Sequence, residues 1–332
     1  MGSTNNDIAT IESGGLSERM TPRVFIQDFL AYTFARTRNE KTRNAYTRNI
    51  NYYLNWLEAT GHTGGDMRDI TDYLTYLSGR YAPSTVNSYY SIVRSFYKWL
   101  EASRIYPNIT AGTRGAKLPE GFAKDVLTVD QYQKVLGSID RETITGLRDY
   151  AIIDLMIHTA LRINEVRLAN ISDIRQDPTG YYTMMIQGKG HNSKDAEVKF
   201  SPEVMESIRA YLRVRGIGDN ANHPLFVRAS NHNTKQPGDD GRLALPSLST
   251  IIKGRFKAAG VDSSRITAHS LRHTAVTWSI LGGATIQEAG AMARHKNIAT
   301  TMIYAHNVDR MVNPAERKID AFLSDPNRYL KE

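Results

Sequence analysis

Helical periodicity carries the chain to Ser103 and then stops. Between Tyr106 and Asp125 it gives way to Pro107, Gly112, Gly115, Pro119 and Gly121, scattered among Arg114, Lys117 and Lys124. A structureless stretch of this length inside one compact domain is unusual, so the chain reads as two domains. Its 332 residues, 41% of them hydrophobic, suffice for two cores. The division assigns 21–105 to a helical domain, 106–124 to a linker, and 125–332 to a second domain with a C-terminal tail segment. Residues 1–20, rich in Ser, Thr, Asn and Gly, read as a disordered tail with neither the basic start nor the apolar stretch of an export signal. No apolar run approaches the roughly 20 residues that span a bilayer, so no membrane partner is expected.

In the first domain the clearest helix spans Thr42 to Leu57. Tyr46, Ile50, Tyr53, Leu54 and Leu57 fall on one side, and Arg43, Asn44, Thr47, Arg48 and Asn51 on the other. A second helix is expected to start at Ser84 as N-cap and to bury Val86, Tyr90, Val93, Phe96, Tyr97 and Leu100. Its outer face carries Asn87, Arg94 and Lys98 among serines. Arg and Lys mixed with short polar side chains suit phosphate and base-edge contacts, so Arg43, Arg48, Asn87, Arg94 and Lys98 are the candidate DNA-binding residues. A merely solvated face is the alternative. The net charge of +8 favours an acidic partner, although a basic protein whose charge serves only solubility fits it as well. The absence of cysteine excludes disulfides, a thiolate nucleophile and cysteine-bound zinc, and is compatible with a reducing cytoplasm.

The second domain opens with a capping-box spacing, Thr128 and Gln131, and continues with an apolar helix from Leu147 to His158. The period then changes to two. Tyr181 to Ile186 and Ala196 to Phe200 read as strands joined by a turn-rich segment, and helices return after Ser201 and again from Leu248. The region from Gly216 to Pro246 reads mostly as loop. The fold class is therefore mainly α with a small antiparallel sheet.

Four segments of this domain draw attention together. They are Thr159-Ala-Leu-Arg162-Ile-Asn-Glu165, Gly188-Lys189-Gly190, His269-Ser-Leu-Arg272-His273, and Arg294-His295 followed by Thr300-Thr-Met-Ile-Tyr304-Ala-His306. Each alone is weak, since a lone arginine after a helix is usually a surface charge and Gly-Lys-Gly is usually a turn. In this order and spacing they resemble the tyrosine recombinase family of phage integrases, transposon integrases and chromosome-dimer resolvases, over essentially Thr21 to Tyr329. The resemblance implies Arg162 and Arg272 as the catalytic arginines and Lys189 as the lysine of the β-hairpin. It implies His269 and His295 as the catalytic histidines, Tyr304 as the nucleophile and Glu165 as their support. It also implies a two-domain C-clamp, a helical core-binding domain joined to an α+β catalytic domain. Two positions depart from the family pattern: Ala160 and Arg294 stand where glycine is usual, and an arginine in the second place must turn away or contact DNA itself.

The chemistry of strand exchange accounts for such a set. Attack on a phosphodiester builds charge on its oxygens, and two fixed guanidiniums can stabilise it. A phenol with a pKa of about 10 needs a base, for which His269 is the candidate, and the departing 5′-oxygen needs a proton, for which Lys189 is the candidate. A 3′-phosphotyrosine would retain the ester's energy, so neither ATP nor any other cofactor is expected. Nor is a metal, since His269 and His273 at i and i+4 lack the glutamate of a zincin helix. The partners implied are a double-stranded recombination site, a homotetramer on two such sites, and accessory directionality proteins; the setting implied is the cytoplasm, on the nucleoid. The segment from Pro314 to Phe322, with Ile319 and Phe322 on one stripe, would dock on a neighbouring subunit or pack in cis. Two other readings stay open, a type IB topoisomerase and a catalytically silent DNA-binding protein. Relaxation without strand exchange would mark the first, and the lack of a covalent adduct the second.

Overall fold

The computed structural model describes residues 22–37, 39–118, 125–188, 193–216, 223–229 and 240–325. Lys189, the tail 1–20 and the end of the expected linker, 119–124, lie outside them. The chain divides into two compact units, 1–120 and 121–332.

The first unit contains helices α1 (Ile26–Arg36), α2 (Glu40–Thr60), α3 (Met67–Ser78) and α4 (Pro83–Ala102). Asn39 caps α2 by accepting the Thr42 amide at 3.2 Å, and Gly61 ends it in the left-handed region at φ 72°. α4 begins one residue before the expected cap. Pro83 takes the first helical position, where its fixed φ suits the helix and its missing N–H has no partner to lose. The core is aromatic: Phe29 and Phe96 meet edge to face at 5.2 Å, and the buried Tyr53 and Tyr97 hydroxyls lie 3.0 Å apart. Tyr97 in turn donates to the Gly64 carbonyl at 2.9 Å, which satisfies this pair, whereas the hydroxyl of buried Tyr73 in the same core has no hydrogen-bond partner. Most of the expected linker belongs to this unit. Tyr106 donates to the Gly65 carbonyl and Asn87 to that of Ala116, each at 2.9 Å. Gly115 suits this packing, because a Cβ there would lie 2.1 Å from Asn87 Oδ1 and would force the Asn87 side chain to shift.

The second unit is built around α6 (Ile144–Thr159). Ala151, Ile152, Ile153, Leu155, Met156 and Ile157 are all buried, which makes it a central helix rather than an amphipathic one. α5 (Val129–Gly137) precedes it with the expected capping box closed in both directions, Gln131 amide to Thr128 Oγ1 at 3.1 Å and Thr128 amide to Gln131 Oε1 at 3.0 Å. After α7 (Ile163–Leu168) come β1 (Ile174–Gln176), β2 (Tyr182–Ile186) and β3 (Ala196–Phe200), an antiparallel sheet in that order with Met184 paired to Ile174 and Val198. The alternation of Tyr182, Met184 and Ile186 turns one face of the sheet into the core. Helices α8 (Pro202–Arg215), α9 (Leu245–Ala258), α10 (Ala268–Leu281), α11 (Ile286–Ala293), α12 (Ile298–Val312) and α13 (Ala315–Ser324) follow. Asp149 is buried in α6 between Arg148 at 2.8 Å and Arg255 of α9 at 2.7 Å, so its charge is paired on both oxygens. α13 buries none of its residues; Ile319 is 58% exposed and Leu323 69%.

Candidate active site

Two left-handed corners shape the site. α6 ends at Ala160 with φ 52° and α11 ends at Arg294 with φ 55°, so the two positions where glycine is usual both have the conformation that favours glycine. The first corner delivers Arg162 to the head of α7. There Glu165, buried one turn on, accepts the Arg162 amide at 2.7 Å through Oε2 and its guanidinium at 2.9 Å through Oε1. Arg272 rises from α10 and locks both corners, donating through Nη1 to the Ala160 carbonyl at 2.6 Å and through Nη2 to that of Ala293. Burial, reinforced by the charges of Arg162 and Arg294, lowers the pKa of Arg272 to about 10, which still leaves it cationic at neutral pH.

Tyr304 sits on α12, buried at 3% exposure, with its hydroxyl 2.6 Å from His273 Nδ1. Burial raises the phenol to about 12 against the opposing pull of Arg272 and Arg162. His273 is pushed down to about 4 by burial, then by His269, Arg272 and His295. A neutral imidazole protonated on Nε2 can therefore accept the phenol's hydrogen bond. His269 meets His273 edge-on at 4.5 Å between ring centroids. His295 stacks on the Tyr304 ring at 5.9 Å, places Nδ1 2.9 Å from Thr301 Oγ1, and is likewise lowered to about 4 by burial and then by Arg272, Arg162 and Arg294.

This has a consequence for stability. Folding holds His273 and His295 neutral down to about pH 4, whereas unfolded histidines take up protons from about 6.5. The unfolded state thus binds more protons between those values, so the contribution is intact above about pH 6.5 and declines as pH falls toward 4. Thermal melts across that window should show the decline, and His295→Gln should flatten it; an equally steep decline in the variant would contradict the assignment.

The structure brings Arg162, Glu165, His269, Arg272, His295 and Tyr304 to one end of the second unit. His273 is the residue sequence reasoning misses: the sequence offers it only as a metal ligand, although its i+4 relation to His269 and its place beside Arg272 point it toward the same site. Lys189 lies outside the described residues. Its neighbour Lys194 is ion-paired to Asp173. Among the described residues no group of three or more His, Asp or Glu side chains could hold a metal ion, and no helix is long and apolar enough to cross a membrane.

The candidate DNA-binding residues of the first unit divide. Arg94 and Lys98 are exposed on α4, as is Arg48 on α2. Arg43 turns inward instead, donating to the carbonyls of Thr37 at 2.8 Å and Phe34 at 2.9 Å, where it caps the end of α1. Asn87 directs its amide nitrogen to Ala116. Helical spacing separates the faces of a helix, but a long or amide side chain at the margin can fold back onto its own domain.

Known proteins place the chain in a family. Residues 125–311 match the phage integrase family, and residues 25–105 match the N-terminal SAM-like domain of phage integrases. The tyrosine recombinase XerD of Bifidobacterium longum is 30% identical over 303 residues, 86% of this chain and 91% of its own length. That of Corynebacterium glutamicum is 28% identical over 309 residues, 86% and 94% respectively. Among solved structures, the XerH site-specific recombinase bound to palindromic difH substrate, a post-cleavage complex, has a TM-score of 0.68 at 17% identity, covering 90% of this chain and 97% of that one. A lambda integrase (75–356) dimer bound to a COC′ core site has a TM-score of 0.64 at 15% identity, covering 85% and 97%; at these identities the likeness speaks for the fold. With the SAM-like and catalytic matches on successive stretches and the arginines, histidines and tyrosine gathered at one site, the chain belongs to the phage integrase family of tyrosine-type site-specific recombinases.

Proposed function

We propose that this recombinase cleaves each strand by attack of Tyr304 Oη on the scissile phosphorus, forming a 3′-phosphotyrosine and releasing a 5′-hydroxyl. The observation that carries this reading is the Tyr304 hydroxyl 2.6 Å from His273, within the field of Arg162 and Arg272. Arg162 and Arg272 hold the non-bridging oxygens and stabilise the charge that accumulates there. The phenol's proton passes to the imidazole pair, His273 directly and His269 beside it; His295, stacked on the ring, keeps the nucleophile aligned. Lys189 protonates the departing 5′-oxygen. A 5′-hydroxyl from the partner strand then attacks the phosphotyrosine, restores the phosphodiester and returns the proton, so the bonds broken and formed balance without a cofactor. The test is covalent capture from a pool of random-sequence duplexes, each nicked so that the short 5′-hydroxyl fragment diffuses away and leaves the enzyme attached.

The partner is double-stranded DNA carrying two recombination sites, held by four protomers, and the setting is the cytoplasmic nucleoid. α13 supports the assembly: it is an amphipathic segment without a buried residue, with Ile319, Phe322 and Leu323 exposed, which favours docking on a neighbouring subunit over packing in cis. A lambda integrase tetramer bound to a Holliday junction shares the fold at a TM-score of 0.60. The topoisomerase alternative gains nothing from the relatives, which are recombinases along most of the chain. Exposed Arg48, Arg94 and Lys98 contact the backbone of the site, so affinity should fall with salt at a slope of about −0.9 in log K per neutralised phosphate. Titration of a captured duplex at several ionic strengths measures it; a flat response would rule out such phosphate contacts.

A further inference from the structure

The arginine that stands where glycine is usual is built into the catalytic cluster. Arg294 holds a left-handed backbone, φ 55° and ψ 47°, which a side chain adopts only against a steric cost. Its guanidinium folds inward, at 14% side-chain exposure. Nη1 donates to the carbonyls of Met292 at 2.7 Å and Thr159 at 3.4 Å, and Nη2 to Ala160 at 3.3 Å and to Glu165 Oε2 at 2.9 Å. Nε is buried without a partner, a further cost that glycine at this corner would not carry. Two of its partners are shared. The Ala160 carbonyl also receives Arg272, and the other oxygen of Glu165 receives Arg162.

We propose that Arg294 is a positioning residue for strand cleavage: it fixes Arg162 and Arg272 through their shared partners and takes up the charge of Glu165, which would otherwise neutralise Arg162. The inference rests on the phosphotyrosine reading above. Without Arg294 the buried carboxylate faces Arg162 alone, and the guanidinium meant for the phosphate is half cancelled before DNA arrives. With Arg294 present, two guanidiniums share one carboxylate and, with Arg272 beside them, the site keeps a net positive field. That field reaches the neighbouring groups, for Arg294 is among the charges that lower the proton affinity of both Arg272 and His295.

The experiment measures covalent capture on the duplex enriched from the nicked random library, with three variants beside the unaltered protein. Arg294→Gly is compatible with the left-handed corner, so folding and DNA binding should persist while the cleavage rate falls about ten- to a hundredfold, the range usual for groups that hold a catalytic ligand in place. Arg294→Lys keeps the charge but not the fork and should recover part of that loss. Adding Glu165→Gln to Arg294→Gly removes the neutralising carboxylate, so the double variant should lose far less than the two single losses multiplied. On a duplex with an uncharged methylphosphonate at the scissile position, the Arg294→Gly deficit should shrink, because little charge is left to stabilise. Cleavage by Arg294→Gly at the original rate, strict multiplicativity with Glu165→Gln, or an equal deficit on the methylphosphonate would each overturn the proposal and leave the phosphotyrosine reading standing. Failure of the unaltered protein to capture any duplex would remove both.

Discussion

Replacing Tyr304 by Phe should abolish covalent capture on nicked duplex DNA while leaving affinity for that duplex within about twofold of the original. The substitution removes one oxygen and keeps the ring, so the stack on His295 at 5.9 Å and the packing of α12 survive. What is lost is the atom 2.6 Å from His273. The unliganded site holds that atom in check, for burial raises the phenol to about 12 and lowers His273 to about 4, so transfer of its proton is strongly uphill. A scissile phosphate arriving between Arg162 and Arg272 changes both sides of this balance: its negative charge raises the affinity of the imidazoles for a proton, and the oxyanion that forms is held by the two guanidiniums. On the proposed mechanism, attack would thereby be coupled to the presence of DNA. Denaturing electrophoresis after incubation reads the outcome directly, and a protein–DNA adduct from Tyr304→Phe would move the nucleophile to another side chain.

Much of this was legible from patterns that arise locally. Thr128 and Gln131 cap α5 because a hydroxyl and an amide three residues apart satisfy each other's orphan groups wherever they sit. β3 runs from Ala196 to Phe200 as its alternation predicts, since one buried face forces the register. β1 escaped because Ile174–Gln176 is too short to show a period and owes its pairing to β2. At the site, it was the family resemblance of the four segments that implied a common role for Arg162, Glu165, His269, Arg272, His295 and Tyr304. It could not say which imidazole faces the phenol, because His269 and His273 lie on one face of α10 and only the path of α12 decides between them. Arg43 and Arg294 illustrate the same limit for long side chains. Sequence gives the position of the Cα, and the guanidinium goes where carbonyls and carboxylates are unpaired, at the end of α1 for one and at the end of α6 for the other.

Lys189→Ala should slow cleavage by about 10² to 10⁴, the usual contribution of a positioned general acid, with little change in DNA affinity. Residues 187–195 join β2 to β3, whose last pair, Ile186 and Ala196, fixes where that connection leaves the sheet. Lys194, the other lysine in the connection, is held by Asp173 at its base, which makes it a poor substitute for a proton donor that must reach the leaving oxygen. The deficit of Lys189→Ala should therefore be chemical and specific to the leaving group. Replacing the bridging 5′-oxygen by sulfur provides a thiolate that departs without a proton, so Lys189→Ala should regain most of the original rate on that duplex. Tyr304→Phe should stay inactive on both, since a better leaving group cannot replace a missing nucleophile. Equal slowness of Lys189→Ala on oxygen and sulfur would instead make Lys189 a phosphate-binding group. The acid would then have to be sought among the histidines, where His269→Gln and His295→Gln on the same pair of substrates would identify it by the variant that sulfur rescues.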